Sequence, residues 1–559
     1  MRNGVHGYCC FQKAGITIYR TLFACVHIDL QRQRRVFSKK CVYKPVKRRM
    51  KTYRSHVVLL LISGLFYLWT LAPGIIAGDS ASFAVDVQQL KLTEAHKLRL
   101  GRADNHPFYL VVGKLFSYLP FELAYSLNLM SAFFGLLTIL VVFLVIRHLS
   151  ESPLAALFGA FSLMVSHAFW QHSVIAEVYT LNAFFVAVLL YLVLTQMTQR
   201  WFPALFLIVV VSGLLNHLIL ALVLPALCVY IFIHLTAKSR KRVLWLGGGS
   251  ACLLLLGSIA AVLLWPHEIR TWLHAMLIGP PPIKHYLLLP DGITPLLREL
   301  LFYILYLCYQ FPLGGVLIGI LGIVTLAERH RAAAVLTGMM LLCNAVFFLK
   351  TTSWASYGGS KYTFYISDYT LFAVYIGCGA SSLLKGLNSY VSKKVGPGKA
   401  LWLSRGAVTA SVVLTVMLYA VMPSLLSVLK IDVLHARTLA YRDNNSFFLN
   451  PNKRGWYGDR IFGEEILEQS RQHAVIFADF TPYSILKYLL EVEKKRPDIT
   501  LVMCHKRLKI REQVDALRQE QPDRPVYLAD TNSYYNLKGL DELYMIRPYV
   551  SFFEILTRK

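Results

Sequence analysis

The stretch VVLLLISGLFYLWTLAPGIIAGDSASFAVDVQQLKLTEAHKLRLGRADNHP, residues 57–107, decides how the rest of the chain is read. Val57 to Leu71 is an apolar run with no small-residue cleavage site behind it, so it reads as a retained first membrane helix rather than a signal peptide. From Ile75 to Pro107 a polar loop follows, carrying four acids, Asp79, Asp86, Glu94 and Asp104.

Outward from that loop the chain is apolar. Its 559 residues are 56% hydrophobic and 16% charged, more apolar surface than one water-soluble core needs, which predicts a polytopic α-helical membrane protein. Runs near the length that crosses ~30 Å of hydrocarbon recur at 125–147, 153–170, 178–196, 202–216, 218–235, 243–265, 300–326, 332–349, 365–384 and 402–425, about eleven transmembrane helices with the first. The net charge of +27 is uneven: residues 1–54 hold fourteen Lys and Arg against one acid, Asp29. A basic stretch abutting an apolar run is the cytoplasmic flank of a membrane helix, and that reading leaves no nucleic-acid partner. The ten cysteines have no spacing that suits zinc, and only Cys504 falls in the hydrophilic tail.

With the N-terminus cytoplasmic, Arg147–His148, Gln199–Arg200, Lys238–Arg242, Glu328–Arg331 and Lys385–Lys399 fall inside, and each carries a basic residue. The loops left outside are 73–124, 170–177, 266–299 and 350–364. The chain thus divides into a basic cytoplasmic N-terminal extension (1–56), a transmembrane module (57–427) with a large first outer loop (73–124), and residues 428–559 outside. In that last part His473–Asp479, Ile499–Met503 and Pro525–Ala529 read as strands, with Tyr483–Lys495 and Lys506–Gln519 as helices between them. The alternation predicts a C-terminal soluble α/β domain with a parallel sheet. Asp479 and Asp530 end two strands, where they are either ligand residues or turn and helix caps.

Asp79 lies close to where the first helix leaves the bilayer, and FYLVVGKLFSYLP after His106-Pro107 suits an interfacial amphipathic helix. A loop pinned at both ends by membrane segments can hold a carboxylate at headgroup depth. SHAFWQHSVIAEVYTLN adds His167, Trp170, His172, Glu177 and Tyr179 at the outer rim, in a spacing that fits no zinc pattern. Asn216-His217 interrupts two apolar runs, as a satisfied turn or as part of a polar pocket. The outer cations Arg270, Lys284, Arg298 and Lys361 run against the topology rule; they suit an anionic ligand such as a lipid phosphate, or generic headgroup contact.

PGIIAGDSASF, NHPFYLVVGKLFSYLP, Asn128-Leu-Met-Ser-Ala132, FWQHSVIAEVYTLNAFF and LLNHL, in that order, resemble the signatures of the DUF2723 membrane proteins. That family includes the TMEM260-like protein O-mannosyltransferases of the GT-C superfamily, and DRIFGEEILEQSRQHAVIFADF and KRPDITLVM resemble its soluble portion. The resemblance implies a GT-C-like glycosyltransferase that moves a sugar, mannose in the named members, from a polyprenyl-phosphate donor to a protein or glycan acceptor on the non-cytoplasmic face. It implies Asp79 as catalytic base, with His106, Glu177, Tyr179, Asn182, Asn216 and His217 in the remaining polar motifs and His172 beside them. The chain reads Gly78-Asp79-Ser80-Ala81-Ser82 where the family commonly has GDSGE, and His106-Pro107-Phe108-Tyr109-Leu110 where it has HPPGYPL; the base stays and the donor and acceptor are left open.

Transfer from a lipid phosphate needs a base for the acceptor proton and positive charge where the phosphate leaves. Lys91, Arg102, Arg270, Lys284, Arg298 or Lys361 would supply that charge. One carboxylate acting in a single displacement inverts the anomeric centre. No cofactor beyond the lipid-linked donor is implied, and no ligand set supports a divalent metal. The alternative, a transporter or flippase of lipid-linked sugars, would place ionisable residues within the spans, which are nearly free of acids. Likeness to bacterial members and the lack of a disulfide framework point to a bacterial inner (cell) membrane.

Overall fold

The computed structural model describes residues 47–90, 106–234, 293–351, 360–431, 438–504, 509–532 and 535–558. It divides into two units, Met1–Ser55 and His56–Lys559, and apart from the start of the first helix all that follows concerns the second. The first helices are α1 (Lys47–Thr70), α2 (Asp79–Gln89), α3 (Pro107–Phe116), α4 (Leu123–Ser150), α5 (Pro153–Met164), α6 (His167–Ser173), α7 (Tyr179–Thr195), α8 (Phe202–Asn216) and α9 (Leu224–His234). Then come α10 (Ile293–Gln310), α11 (Gly315–Arg329), α12 (Arg331–Thr351), α13 (Ile366–Val395) and α14 (Pro397–Val428).

Among the described residues, four helical stretches are long and apolar enough to cross a membrane: Leu123–Ser150, Arg331–Leu349, Lys361–Val395 and Pro397–Val428. Counting the bent pairs α5–α6 and α10–α11 as one span each makes six. The expected eleven are therefore only partly visible; the run at 243–265 lies outside the described residues, and α7, α8 and α9 are shorter apolar helices. Two expected spans are broken. The run 153–170 bends by 69° between α5 and α6, and 300–326 turns by 101° between α10 and α11. At the second break Pro312 lacks an amide donor and Gly314 takes φ +84, a conformation cheap only for glycine, so the helix stops. Small residues then let α11 and α13 approach: a Cβ on Gly322 would collide with the Tyr375 carbonyl, and one on Gly379 with that of Ile318.

The first outer loop corrects the sequence reading, because its residues 79–89 are helix α2 rather than loop. Gly78 precedes it with φ +92 and ψ −135, and Asp79 sits in the first turn, where the amide dipoles favour a carboxylate. The segment between α1 and α2 is tied down from α4: the Asn128 side-chain amide donates to the carbonyls of Ala72 and Gly74, each at 3.0 Å. α3 is amphipathic, burying Tyr109, Leu110 and Gly113 and exposing Val111 and Leu115.

In the C-terminal part, α15 (Asn444–Leu449) and α16 (Gly458–Gln469) precede a five-stranded sheet of β1 (Val475–Ala478), β2 (Thr500–Met503), β3 (Val526–Leu528), β4 (Tyr544–Tyr549) and β5 (Phe552–Thr557) in the order β2-β1-β3-β5-β4. β2, β1 and β3 are parallel, as the alternation predicts, and β5 runs antiparallel to β3 and β4. α17 (Phe480–Glu491) follows β1 and α18 (Ile510–Glu520) follows β2. Asp479 caps α17 by accepting from the Thr481 amide at 3.1 Å, and Asp530 accepts from the amides of Thr531 and Asn532, so the first is a helix cap and the second a turn residue. Polar contacts fasten this part to the bundle: the Tyr488 hydroxyl donates to Glu122 at 3.0 Å, and Arg460 joins Glu122 and Glu493, each at 2.9 Å.

Candidate active site

Asp79, Ser82, Phe83 and Asp86 fall at i, i+3, i+4 and i+7 on α2, and Phe480, Tyr483, Ser484 and Lys487 repeat the spacing on α17, so each set forms one helical face. Both faces line a cavity of about 200 Å³, which His106, Glu177, Val178, Tyr179, His217 and Met503 also line. The α17 face thus comes from residues some four hundred positions after the α2 face.

Short polar segments hold the first wall together. The His106 Nδ1–H donates to the Asn216 carbonyl, and the Asn216 side-chain amide donates to the Val178 carbonyl at 3.2 Å. Ser131 accepts from the Glu177 amide at 3.1 Å. These contacts gather the 106, 131, 177 and 216 segments around one point. The rings follow: His106 lies 5.7 Å from Phe83 and 4.9 Å from His217, and Tyr179 lies 5.7 Å from His217 and 4.8 Å from His172. His217 accepts at Nδ1 from the Ile219 amide at 3.1 Å, so its proton sits on Nε2, while His106 carries a proton on Nδ1.

The carboxylates differ as sharply. Glu177 is only 9% exposed, whereas Asp79 is exposed to solvent. Burial, and secondarily the neighbouring Asp79 charge, hold the Glu177 carboxyl well above the usual carboxylate range. Two like groups with unequal access to water part in this way: the buried one keeps its proton and the wet one carries the charge. Burial, then His106, also holds His217 below its ordinary value and keeps that ring neutral.

Residues 92–241 match the Protein O-mannosyl-transferase TMEM260 N-terminal domain. This matched stretch contains His106, His172, Glu177, Tyr179, Asn182, Asn216 and His217, while Asp79 precedes it. Mouse protein O-mannosyl-transferase TMEM260 is 29% identical over 138 residues, 24% of this chain and 18% of that protein. The Dictyostelium discoideum protein of the same description is 24% identical over 141 residues, 24% of this chain and 16% of the relative. The chain thus matches less than a fifth of the length of these curated relatives. In fold it is similar to ArnT from Cupriavidus metallidurans in the apo state, with a TM-score of 0.51 at 13% identity, covering 91% of this chain and 98% of that one. That is a likeness of fold.

Of the polar-motif positions picked out in the sequence, His106, Glu177, Tyr179 and His217 line the cavity with Asp79. Asn216 acts from behind it through the bonds described above. Asn182 is fully buried and donates to Ser367 on α13 at 3.2 Å, holding α7 in place. His172 packs at a tilt against Tyr179 from outside the cavity, and neither of its ring nitrogens has a hydrogen-bond partner among the described residues. Lys361 lies elsewhere, in a buried ion pair with Glu299 on α10, and Arg298 is a mostly exposed neighbour 3.7 Å from the same Glu299. Lys91, Arg102, Arg270 and Lys284 lie outside the described residues. Among the described residues, no three His, Cys, Asp or Glu side chains are grouped to hold a metal ion.

The sequence reading missed the second wall entirely. Lys487 brings a cation to the cavity, and Phe480, Tyr483 and Met503 bring apolar surface. Asp86, another of the four acids in the first loop, is exposed and also lines the cavity, two helical turns along from Asp79. The seven-residue interval between those two acids was a usable signal once the segment is taken as helix.

Proposed function

We propose that this chain is a membrane glycosyltransferase that moves a sugar from a polyprenyl-phosphate donor to an acceptor hydroxyl, with Asp79 as the general base. The observation that carries the reading is the cavity in which an exposed Asp79 shares space with His106, Tyr179, His217 and a buried, proton-holding Glu177. Asp79 takes the proton of the acceptor hydroxyl as its oxygen attacks the anomeric carbon. The bond from that carbon to the phosphate oxygen breaks, its electron pair leaves with the lipid phosphate, and the configuration inverts. Lys487 offers positive charge to the departing phosphate, and the neutral His217 and protonated Glu177 offer hydrogen-bond donors without adding negative charge. Mannose as the sugar and a protein as the acceptor rest on the description of the partial matches. We assign the cavity to the non-cytoplasmic face of a cell membrane, on the distribution of basic loops.

A second reading has an observation of its own. Glu299, Lys361 and Asp368 are buried in the helical bundle, the pattern by which a transporter or flippase of lipid-linked sugars would be known. One experiment separates the two: purified protein in liposomes with radiolabelled mannosyl-phospho-polyprenol and a hydroxyl acceptor. Transfer forms a glycosidic bond of inverted anomeric configuration and frees the lipid phosphate. If the label crosses the bilayer with the donor intact and no new bond forms, the glycosyltransferase reading fails.

A further inference from the structure

The GDS turn that presents Asp79 does not hold itself. Two consecutive backbone amides just ahead of it donate to side chains of the C-terminal part: Ala77 to the Asp459 carboxylate at 2.9 Å and Gly78 to the Ser484 hydroxyl at 2.8 Å. Ser484 is buried and is itself oriented, its hydroxyl donating to the Thr481 carbonyl at 2.8 Å. Asp459 is 1% exposed and also accepts from the Trp456 indole at 3.4 Å. We propose that Ser484 and Asp459 are positioning residues, a clamp by which the C-terminal α/β part sets where the Asp79 carboxylate stands in the cavity. This inference rests on the reading of Asp79 as the base.

Three features favour a clamp over incidental packing. First, the clamped turn has little stiffness of its own in this conformation, because Gly78 at φ +92 is the residue type with the widest backbone freedom. Second, a buried carboxylate is expensive, and one kept merely to fill space is replaced at no loss by an apolar side chain. Asp459 keeps a carboxylate in this place beside Lys453, another buried ionisable group, whose amine burial pushes down to about 7. Its carboxylate takes the Ala77 backbone amide. Third, Ser484 comes from the same helical face as Lys487, so one rigid element both fixes the base and brings the cation. Positioning errors of this kind matter because a shift of about 1 Å in a reacting group is enough to cost ~100-fold in rate.

The test uses the full chain in membranes with mannosyl-phospho-polyprenol and a hydroxyl acceptor, comparing Ser484→Ala, Asp459→Ala and Asp459→Asn with the unaltered protein and with Asp79→Asn. Asparagine keeps a carbonyl oxygen where the Ala77 amide needs one. The clamp predicts that both alanine variants lose kcat by ~10- to 100-fold while the donor KM holds, and that Asp459→Asn recovers most of the loss. Rates are normalised to folded protein by size-exclusion yield. If Asp459→Ala does not fold, Ser484→Ala, which removes a single hydroxyl, carries the test. Ser484→Ala at full kcat, or Asp459→Asn as slow as Asp459→Ala, overturns the clamp. The two failures are distinguishable: an active Asp79→Asn sinks the base assignment, whereas an inactive Asp79→Asn beside a fully active Ser484→Ala sinks only the clamp.

Discussion

Glu177→Gln separates the roles of Glu177 and Asp79, two of the acids that line the cavity. Glu177 is 9% exposed, and its burial with the nearby Asp79 charge holds its carboxyl well above the ordinary range. The linkage sign follows from proton counts. The folded state keeps this proton at pH values where the unfolded chain has lost it, so stability falls as pH rises above the unfolded value, at up to ~1.4 kcal/mol per pH unit until the folded group also ionises. Glutamine is neutral throughout and close in shape, so the variant lacks this slope, and its melting temperature exceeds that of the unaltered protein by a margin that widens from pH 5 toward pH 8. Because burial favours the protonated, uncharged side chain, the same change lowers transfer by less than ~10-fold, whereas removal of a general base costs ~100- to 10,000-fold. The assays are thermal unfolding in detergent across pH and initial rates of label transfer. A Glu177→Gln protein that is folded but more than ~100-fold slower, with stability as pH-dependent as before, refutes the assignment of proton to Glu177 and charge to Asp79.

Asn128→Ala removes the donor to two carbonyls in the Ala72–Gly74 segment and lowers stability by ~1–3 kcal/mol per carbonyl left unpaired in the interior, read as a fall in melting temperature. Gly379→Ala places a methyl group against the Ile318 carbonyl, forces α11 from α13 and costs ~1–3 kcal/mol or more, seen as reduced yield of monodisperse protein. Arg460→Ala breaks a partly exposed network to Glu122 and Glu493; the global cost is about 1 kcal/mol or less, but hydrogen-exchange protection of α17 drops first.

The first wall of the cavity was legible because its residues announce themselves locally. An acid after a glycine, a His-Pro pair and an Asn-His break inside apolar runs are each improbable in a membrane helix, and the structure brings Asp79, His106, Glu177, Tyr179 and His217 together. The sheet was legible for the same reason, since short apolar strands alternate with amphipathic helices and β1, β2 and β3 fall where the pattern puts them. What no one-dimensional pattern holds is the pairing of α17 with α2. Phe480, Tyr483, Ser484 and Lys487 have the composition of any amphipathic helix, and only the fold selects this face. The partner of Lys361 was hidden likewise: Glu299 lies sixty-two positions away within an apolar helix, and a lysine in a short loop looks available until the ion pair is seen. The broken run at 300–326 was readable in principle, because Pro312 and Gly314 interrupt it, but a hydropathy average passes over both.

The central claim is tested most directly by label transfer from mannosyl-phospho-polyprenol with the full chain and with Asp79→Asn, side by side in the same membranes at matched amounts of folded protein. The account predicts that Asp79→Asn binds donor with an unchanged KM and loses ~100- to 10,000-fold in kcat. An Asp79→Asn protein that transfers sugar at the full rate contradicts it.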